Sequence, residues 1–218
     1  MLLFFTQIQR LKFKLGLDRK VFVLSFIKKL KPMSILEIGV FNGNFTSRML
    51  TEVQKYNREF TYTGVDLFAL NFDTVLKKEE VSLWPSDIES IKLKLASFKN
   101  ANIQLVSGNS KEVLPKLKKN NKFDLIVIDG GHSFDTVKSD WLNSLQLLSN
   151  EGIIIFDDYT NSRGDLKGGF GIRKLVKEIK LSNKGAFQIK FSKNRDFFWK
   201  DYGLLILQMV MIRRAERT

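Results

Sequence analysis

The chain contains no cysteine and a single histidine in 218 residues. The missing thiols exclude disulfides, thiolate metal sites and cysteine nucleophiles, and make a reducing compartment, the cytoplasm, the default location. No stretch is long enough to cross a bilayer. The apolar start MLLFFTQI has no basic region before it and no small-residue cleavage site after it. The stretch GLLILQMVM near the end is nine residues, fewer than a spanning helix needs. The apolar Leu2, Leu3, Phe4 and Phe5, beside Arg10, Lys12 and Lys14, fit a docking helix or a homo-oligomer contact better than a weak peripheral membrane contact. Internal repeats, low-complexity blocks and a second domain are also missing. The expected organisation is an N-terminal helical extension over residues 1–33 followed by one domain over 34–218.

What is present is a globular composition, 44% hydrophobic and 27% charged, with a net charge of +13. Such a balance attracts anions: nucleic acid, acidic lipid or phosphorylated small molecules. The lysines are scattered rather than gathered in one block, so a solvated lysine-rich surface explains the charge equally well.

Hydrophobic spacing predicts alternating strands and helices. Asp18 can cap a helix over 19–30, in which Phe22, Phe26 and Leu30 recur every four residues and which Pro32 stops. SILEIGV reads as a strand, 45–56 as a helix, and FTYTGVDL as a strand ending near Asp66. Ser86 with Glu89 forms a capping box, which predicts a helix over 87–98. IQLVSG is a third strand and 111–119 a short helix. FDLIVIDGG ends at Asp129 and is apolar throughout, as a parallel strand buried on both faces should be. A helix over 133–148, the strand GIIIFDDY, a glycine-bearing loop over 160–171 and a helix over 172–179 follow. AFQIKFS and GLLILQMV read as two last strands, with RDFFWKDY between them as a hairpin region. The fold class is therefore α/β: a Rossmann-like, doubly wound, mostly parallel sheet with helices on both faces and a C-terminal antiparallel hairpin.

Ligands of such sheets bind beyond the carboxyl ends of the strands, where the strand order reverses. The suggestive residues lie at those ends. Gly39 and Gly43 follow the first strand, with the acid Glu37 before them, and let backbone approach a ligand closely. Asp66 ends the second strand, where a carboxylate can accept both hydroxyls of a ribose. Gly108, Asn109 and Ser110 follow the third, where an adenine could lie. The spacing departs from the G-x-G-x-x-G of dinucleotide-binding turns. The competing explanation is that both glycines simply serve a tight turn.

With these residues in view, ILEIGVFNGNFT, YTGVDLF and VSGNS resemble the successive cofactor motifs of class I S-adenosylmethionine-dependent methyltransferases. The stretch from FDLIVIDGGH to GIIIFDDY is similar to the branch containing macrocin O-methyltransferase-like and other sugar or natural-product O-methyltransferases. The resemblance covers about residues 34–180. It departs from the family at Glu151-Gly152, where Gly-Gly is usual, and at Asn109, where an acid is common. It implies that Glu37, Gly39 and Gly43 surround the methionine part of S-adenosylmethionine. Asp66 would hold the ribose, and Asn109 and Ser110 would neighbour the adenine. Asp129, at an edge of the same pocket, is a further cofactor-binding candidate.

Methyl transfer from a sulfonium is an in-line displacement, so the protein has to align the acceptor and take or weaken its proton. A hydroxyl needs a base near neutrality or a divalent ion that acidifies it. Asp129, Asp157 and Asp158 end strands four and five, and hard oxygen donors of this kind suit Mg2+ or another divalent cation; in related metal-dependent O-methyltransferases, residues at matching strand ends hold the ion. The other reading of Asp157 and Asp158 is a loop cap or a lysine partner. His132, three residues beyond Asp129, is a candidate base or a structural hydrogen-bonding residue, and Asp140 reads as structural. The loop from Asn161 to Gly171, with Arg163, Lys167 and Arg173 nearby, is a candidate acceptor lid for an anionic or sugar acceptor. Trp84, Phe197, Phe198 and Trp199 are left between pocket and core.

The leading function is O-methylation of a small-molecule or sugar hydroxyl, with Asp129 and His132 as catalytic candidates. A nucleic-acid methyltransferase is the first rival, suggested by the charge. Strand four lacks the Asn/Asp-Pro-Pro-aromatic motif of exocyclic-amine methylation, and the missing cysteine excludes the cysteine-dependent pyrimidine C5 route. The second rival is a non-catalytic binding or assembly protein that kept the fold.

Overall fold

In a computed structural model, the described residues are 18–68, 86–117, 122–160, 171–182, 185–193, 196–200 and 203–215. Within 196–200 and 203–206 only the backbone is described. Eight strands form one sheet: β1 (Ser34–Ile38), β2 (Phe60–Asp66), β3 (Ala101–Ser107), β4 (Phe123–Ile128), β5 (Leu148–Thr160), β6 (Phe187–Phe191), β7 (Asp196–Lys200) and β8 (Gly203–Arg214). The order is β3-β2-β1-β4-β5-β8-β6, with β7 also paired to β8. β1 to β5 run parallel, with Ile38 opposite Val65 on one side and Ile128 on the other. β8 is antiparallel to β5, β6 and β7. The order reverses between β1 and β4, which places the ligand crevice above those two strands.

The strand periodicity of two splits the core into two layers. Ile35, Leu125, Val127, Ile153 and Ile155 pack with Val23 and Ile27 of α1 (Val21–Leu30), Met49 and Leu50 of α2 (Asn44–Val53) and Ile91 of α3 (Ile88–Leu95). Their alternates Leu36, Ile38, Ile126, Ile128, Ile154 and Phe156 pack with Val137 and Trp141 of α5 (Phe134–Leu147) and Val176 and Ile179 of α6 (Ile172–Ser182). Both faces of the central strands are covered, which is why those strands are apolar throughout.

Local chemistry sets the element ends. The acid that caps α3 is Asp87, not Ser86: Asp87 is extended and its carboxylate accepts the Ser90 N–H at 2.9 Å. The short helix expected over 111–119 is α4 (Ser110–Val113) followed by one 3-10 turn over Leu114–Lys116; Pro115 supplies no backbone donor to continue it. α1 ends at Lys31, held left-handed at φ 49° before Pro32. At the other end of the chain, Arg214 donates to the carbonyls of Leu145 and Ser149 at 2.8 and 3.0 Å, closing the last turn of α5. The stretch RDFFWKDY contributes a strand of its own, β7, and β6 and β7 share one edge of β8 end to end.

Candidate functional site

The β1 turn is built around a close approach of two strand ends. Gly39 N–H bonds the Val65 carbonyl at 2.9 Å, and Asp129 N–H bonds the Ile38 carbonyl at 2.8 Å. Gly39 has φ +94°, and a Cβ there would stand 2.2 Å from the Asp129 carbonyl oxygen. Only glycine fits. Phe41 is left-handed at φ 54°, a strained state for an aromatic residue, and Gly43 at φ 68° leads into α2. Asp66 holds this turn: one carboxylate oxygen accepts the N–H groups of Val40 and Phe41, each at 2.7 Å. Its other oxygen takes only a long bond from Phe68 N–H, 3.3 Å. The Asp66 carbonyl accepts the Gly108 N–H at 2.9 Å, which draws the β3 end alongside. There the Asn109 side chain accepts the Lys111 N–H at 3.0 Å and caps α4, which begins at Ser110. Gly39, Gly43, Asp66, Asn109 and Ser110 are thus gathered on adjoining strand ends.

Glu37 stands apart from them, behind the turn. Its side chain points between β1 and α2, is 1% exposed, and accepts hydrogen bonds from the hydroxyls of Thr46, at 2.6 Å, and Tyr62. Burial disfavours the carboxylate more than these two donors favour it, and its pKa rises to about 7.

The second half of the site lies at the β4 and β5 ends. Phe156 pairs with Val210 and Tyr159 with Gln208, so β5 carries one extra residue there. This bulge lifts Asp157 and Asp158 out of the regular ladder and turns them toward Asp129. Asp158 is left-handed at φ 58°, and its N–H is held by the Asp157 carboxylate at 2.8 Å. The structure therefore brings Asp129, Asp157 and Asp158 together, and it also fills the space between them with cations. Arg19 donates through Nε and Nη2 to both oxygens of Asp157, with Nη2–Oδ2 at 3.0 Å, and through Nη2 to Asp158 at 2.8 Å. Lys20 Nζ is 3.0 Å from Asp129 and 3.6 Å from Asp157, with its ammonium 4.5 Å from the centre of the Phe45 ring. Burial opposes the charge of Asp157, yet Arg19 and Lys20 outweigh it and hold the carboxyl well below the usual carboxylate range. Burial likewise opposes the Lys20 charge, and Asp129 and Asp157 overcome it, keeping the ammonium protonated well beyond its ordinary range. His132 Nε2 lies 3.6 Å from Asp158, and the His132 carbonyl accepts the Gly171 N–H at 2.6 Å, which ties the start of α6 to the site.

Among the described residues, no group of three or more His, Asp or Glu side chains is arranged to hold a metal ion. The carboxylates expected to ligate one are ion-paired with Arg19 and Lys20, residues that the sequence reading treated only as the start of a helix. Their one sequence signal is that two cations begin a helix with no acid in its first turn, the end where the helix dipole disfavours positive charge. Asp140 is fully buried on α5. Of the expected acceptor lid, Arg173 lies on α6, while 161–170, Trp84, residues 1–17 and the side chains of 197–199 lie outside the described residues. No helix among the described residues is long and apolar enough to cross a membrane. A separate cavity of about 290 Å3 lies at the opposite strand ends, lined by Ser34, Thr61, Tyr62, Asn102, Gln104 and Lys122 among others.

A doubly wound sheet with a glycine turn after β1 and an acid ending β2 is the arrangement of nucleotide-binding α/β domains, and here it belongs to a class I S-adenosylmethionine-dependent methyltransferase. Residues 36–159 match the methyltransferase domain family, and the chain belongs to it. An uncharacterised protein of Acanthamoeba polyphaga mimivirus is 25% identical over 161 residues, which are 72% of this chain and 66% of that protein. Among solved structures, an O-methyltransferase from Bacillus cereus in complex with SAH superposes with TM-score 0.61 at 14% identity, covering 95% of this chain and 90% of its own. The O-methyltransferase of Streptomyces achromogenes involved in tomaymycin synthesis, in complex with SAM, superposes with TM-score 0.59 at 13% identity, covering 90% and 79%. At these identities the two structures establish the shared fold.

Proposed function

We propose that this chain methylates a hydroxyl oxygen of a small acceptor, a sugar or an anionic molecule, using S-adenosylmethionine. The observation that carries the reading is the Asp66 carboxylate, which has one oxygen fixed to the Gly39 turn and the other only weakly engaged. That second oxygen is the one we assign to the ribose diol. The turn from Gly39 to Gly43 is assigned to the methionine part, with Asp129 at its edge, and Asn109 with Ser110 to the adenine. Glu37 supports the turn from behind through Thr46 and Tyr62. Bound there, S-adenosylmethionine supplies an activated methyl carbon. The chain's own work is to align the acceptor oxygen in line with it and to accept its proton. His132 is the base we assign, with its Nε2 3.6 Å from Asp158. No step is assigned to a divalent ion, because oxygens of all three candidate ligands are engaged by Arg19 and Lys20.

Calorimetry of the full chain with S-adenosylmethionine tests the reading. Losing hydrogen bonds to a charged group costs about 1.5–3 kcal/mol. Asp66→Ala should therefore weaken binding at least ~10-fold. No heat of binding to the wild-type chain, or equal affinity in the variant, rejects the assignment.

A further inference from the structure

The carboxyl ends of β4 and β5 gather three carboxylates, the donor set that usually recruits a hard divalent ion. In this chain the set is already served by the segment just before α1. Asp129 Oδ2, both oxygens of Asp157 and Asp158 Oδ1 each carry a cationic donor, so four of the six carboxylate oxygens are engaged. Asp158 Oδ2 is the one that faces His132. An arginine and a lysine together bring the same +2 that one divalent ion would bring.

These are not casual surface pairs. The Arg19 side chain is 12% exposed and that of Asp157 is 1% exposed, so the pair is shielded from water and salt. The segment is also fixed at both sides of the two cations. Asp18 accepts from Arg48 of α2 at 2.8 Å and from the Lys20 N–H at 2.8 Å. Beyond Lys20, Val23 and Ile27 of α1 are fully buried in the core. Lys20 differs from Arg19 in keeping a quarter of its side chain exposed, beside the Phe45 ring at the start of α2. An ammonium has three donors, and the two Asp contacts do not use all of them.

We propose that Arg19 and Lys20 are the resident cations of the Asp129–Asp157–Asp158 set: they hold the place of a divalent ion, and the Lys20 ammonium, on a side chain a quarter exposed, presents its remaining donor capacity to the acceptor oxygen. The acceptor clause rests on the methyltransferase reading; the occupation of the carboxylates does not. A divalent ion could enter only by displacing an arginine held on two carboxylates and a lysine held on a third. Neutralising the two cations should therefore create a metal site where the native chain has none.

Titration of the full chain with Mn2+, followed through the electron paramagnetic resonance signal of the free ion, tests this, with S-adenosylmethionine binding measured by calorimetry on the same samples. The wild-type chain should show no saturable Mn2+ site tighter than about 1 mM, a weak site on the scale of protein cation affinities. Arg19→Gln/Lys20→Gln should gain a site at least ~10-fold tighter, and adding Asp157→Asn should remove it. A tighter wild-type site that Asp157→Asn abolishes overturns the proposal. So does a folded double variant, judged by circular dichroism, that binds Mn2+ no better than wild type. If the double variant does not fold, Lys20→Gln keeps the Arg19 clamp and should still gain about threefold in Mn2+ affinity; no gain there overturns the proposal equally. A wild-type chain that binds neither Mn2+ nor S-adenosylmethionine removes the acceptor clause and leaves the cation assignment standing.

Discussion

Replacing Glu37 by glutamine should remove one defined component of the pH dependence of stability. The wild-type side chain is 1% exposed, and its pKa is raised from 4.5 to about 7 because burial outweighs the donors Thr46 and Tyr62. In the unfolded chain the same carboxyl titrates near its ordinary value. Between about pH 4.5 and 7 the folded state binds a proton that the unfolded state has released, so stability falls as pH rises through this window. A shift of about 2.5 units at ~1.36 kcal/mol per unit is a loss of about 3 kcal/mol, complete above pH 7. The amide of Glu37→Gln stays neutral at every pH and offers one oxygen to the same two hydroxyls. Urea unfolding of both proteins from pH 5 to pH 8 should show the wild type losing about 2–3 kcal/mol relative to the variant, with unchanged dependence on urea. A stability difference constant across that range would refute the argument, as would a variant that loses ground to the wild type as pH rises.

Two further substitutions probe the backbone. Gly39→Ala places a Cβ 2.2 Å from the Asp129 carbonyl in a left-handed residue. It should cost at least ~2 kcal/mol in urea unfolding and weaken S-adenosylmethionine binding in calorimetry; wild-type values for both would mean the two strand ends can part freely. Lys31→Gly removes the strain of φ 49° at the end of α1. It should raise stability by about 0.5–1 kcal/mol and the melting temperature by a few degrees, whereas a lower melting temperature would show that the Lys31 side chain contributes more than its backbone costs.

The parts of the site that were legible in the sequence are those set by local chemistry. Gly39, Asp66, Asn109, Asp129 and the Asp157-Asp158 pair each end an apolar run, and in a parallel sheet all such ends emerge on one side. Their gathering follows once the runs are recognised as strands. The capping box was misplaced by one residue because Ser86 and Asp87 both offer an oxygen, and it is Asp87, in the extended state, whose carboxylate takes the Ser90 N–H. The direction of Glu37 was not legible either, since a carboxylate at a strand end can face a ligand or the opposite layer. Here Tyr62 and Thr46 draw it inward.

Alternation of strand and helix, the glycine turn and the acids at the strand ends are written in short-range pattern, because a pattern of period two or near four needs no knowledge of distant residues. The cations on those acids are not written there. Arg19 meets Asp157 across 138 positions of chain, and the insertion of β8 between β5 and β6 pairs segments equally blind to one another in sequence. Such contacts depend on where folding brings separate elements to rest, and an unpaired charge near the protein interior is costly enough that the fold has to supply its partner from wherever the chain passes.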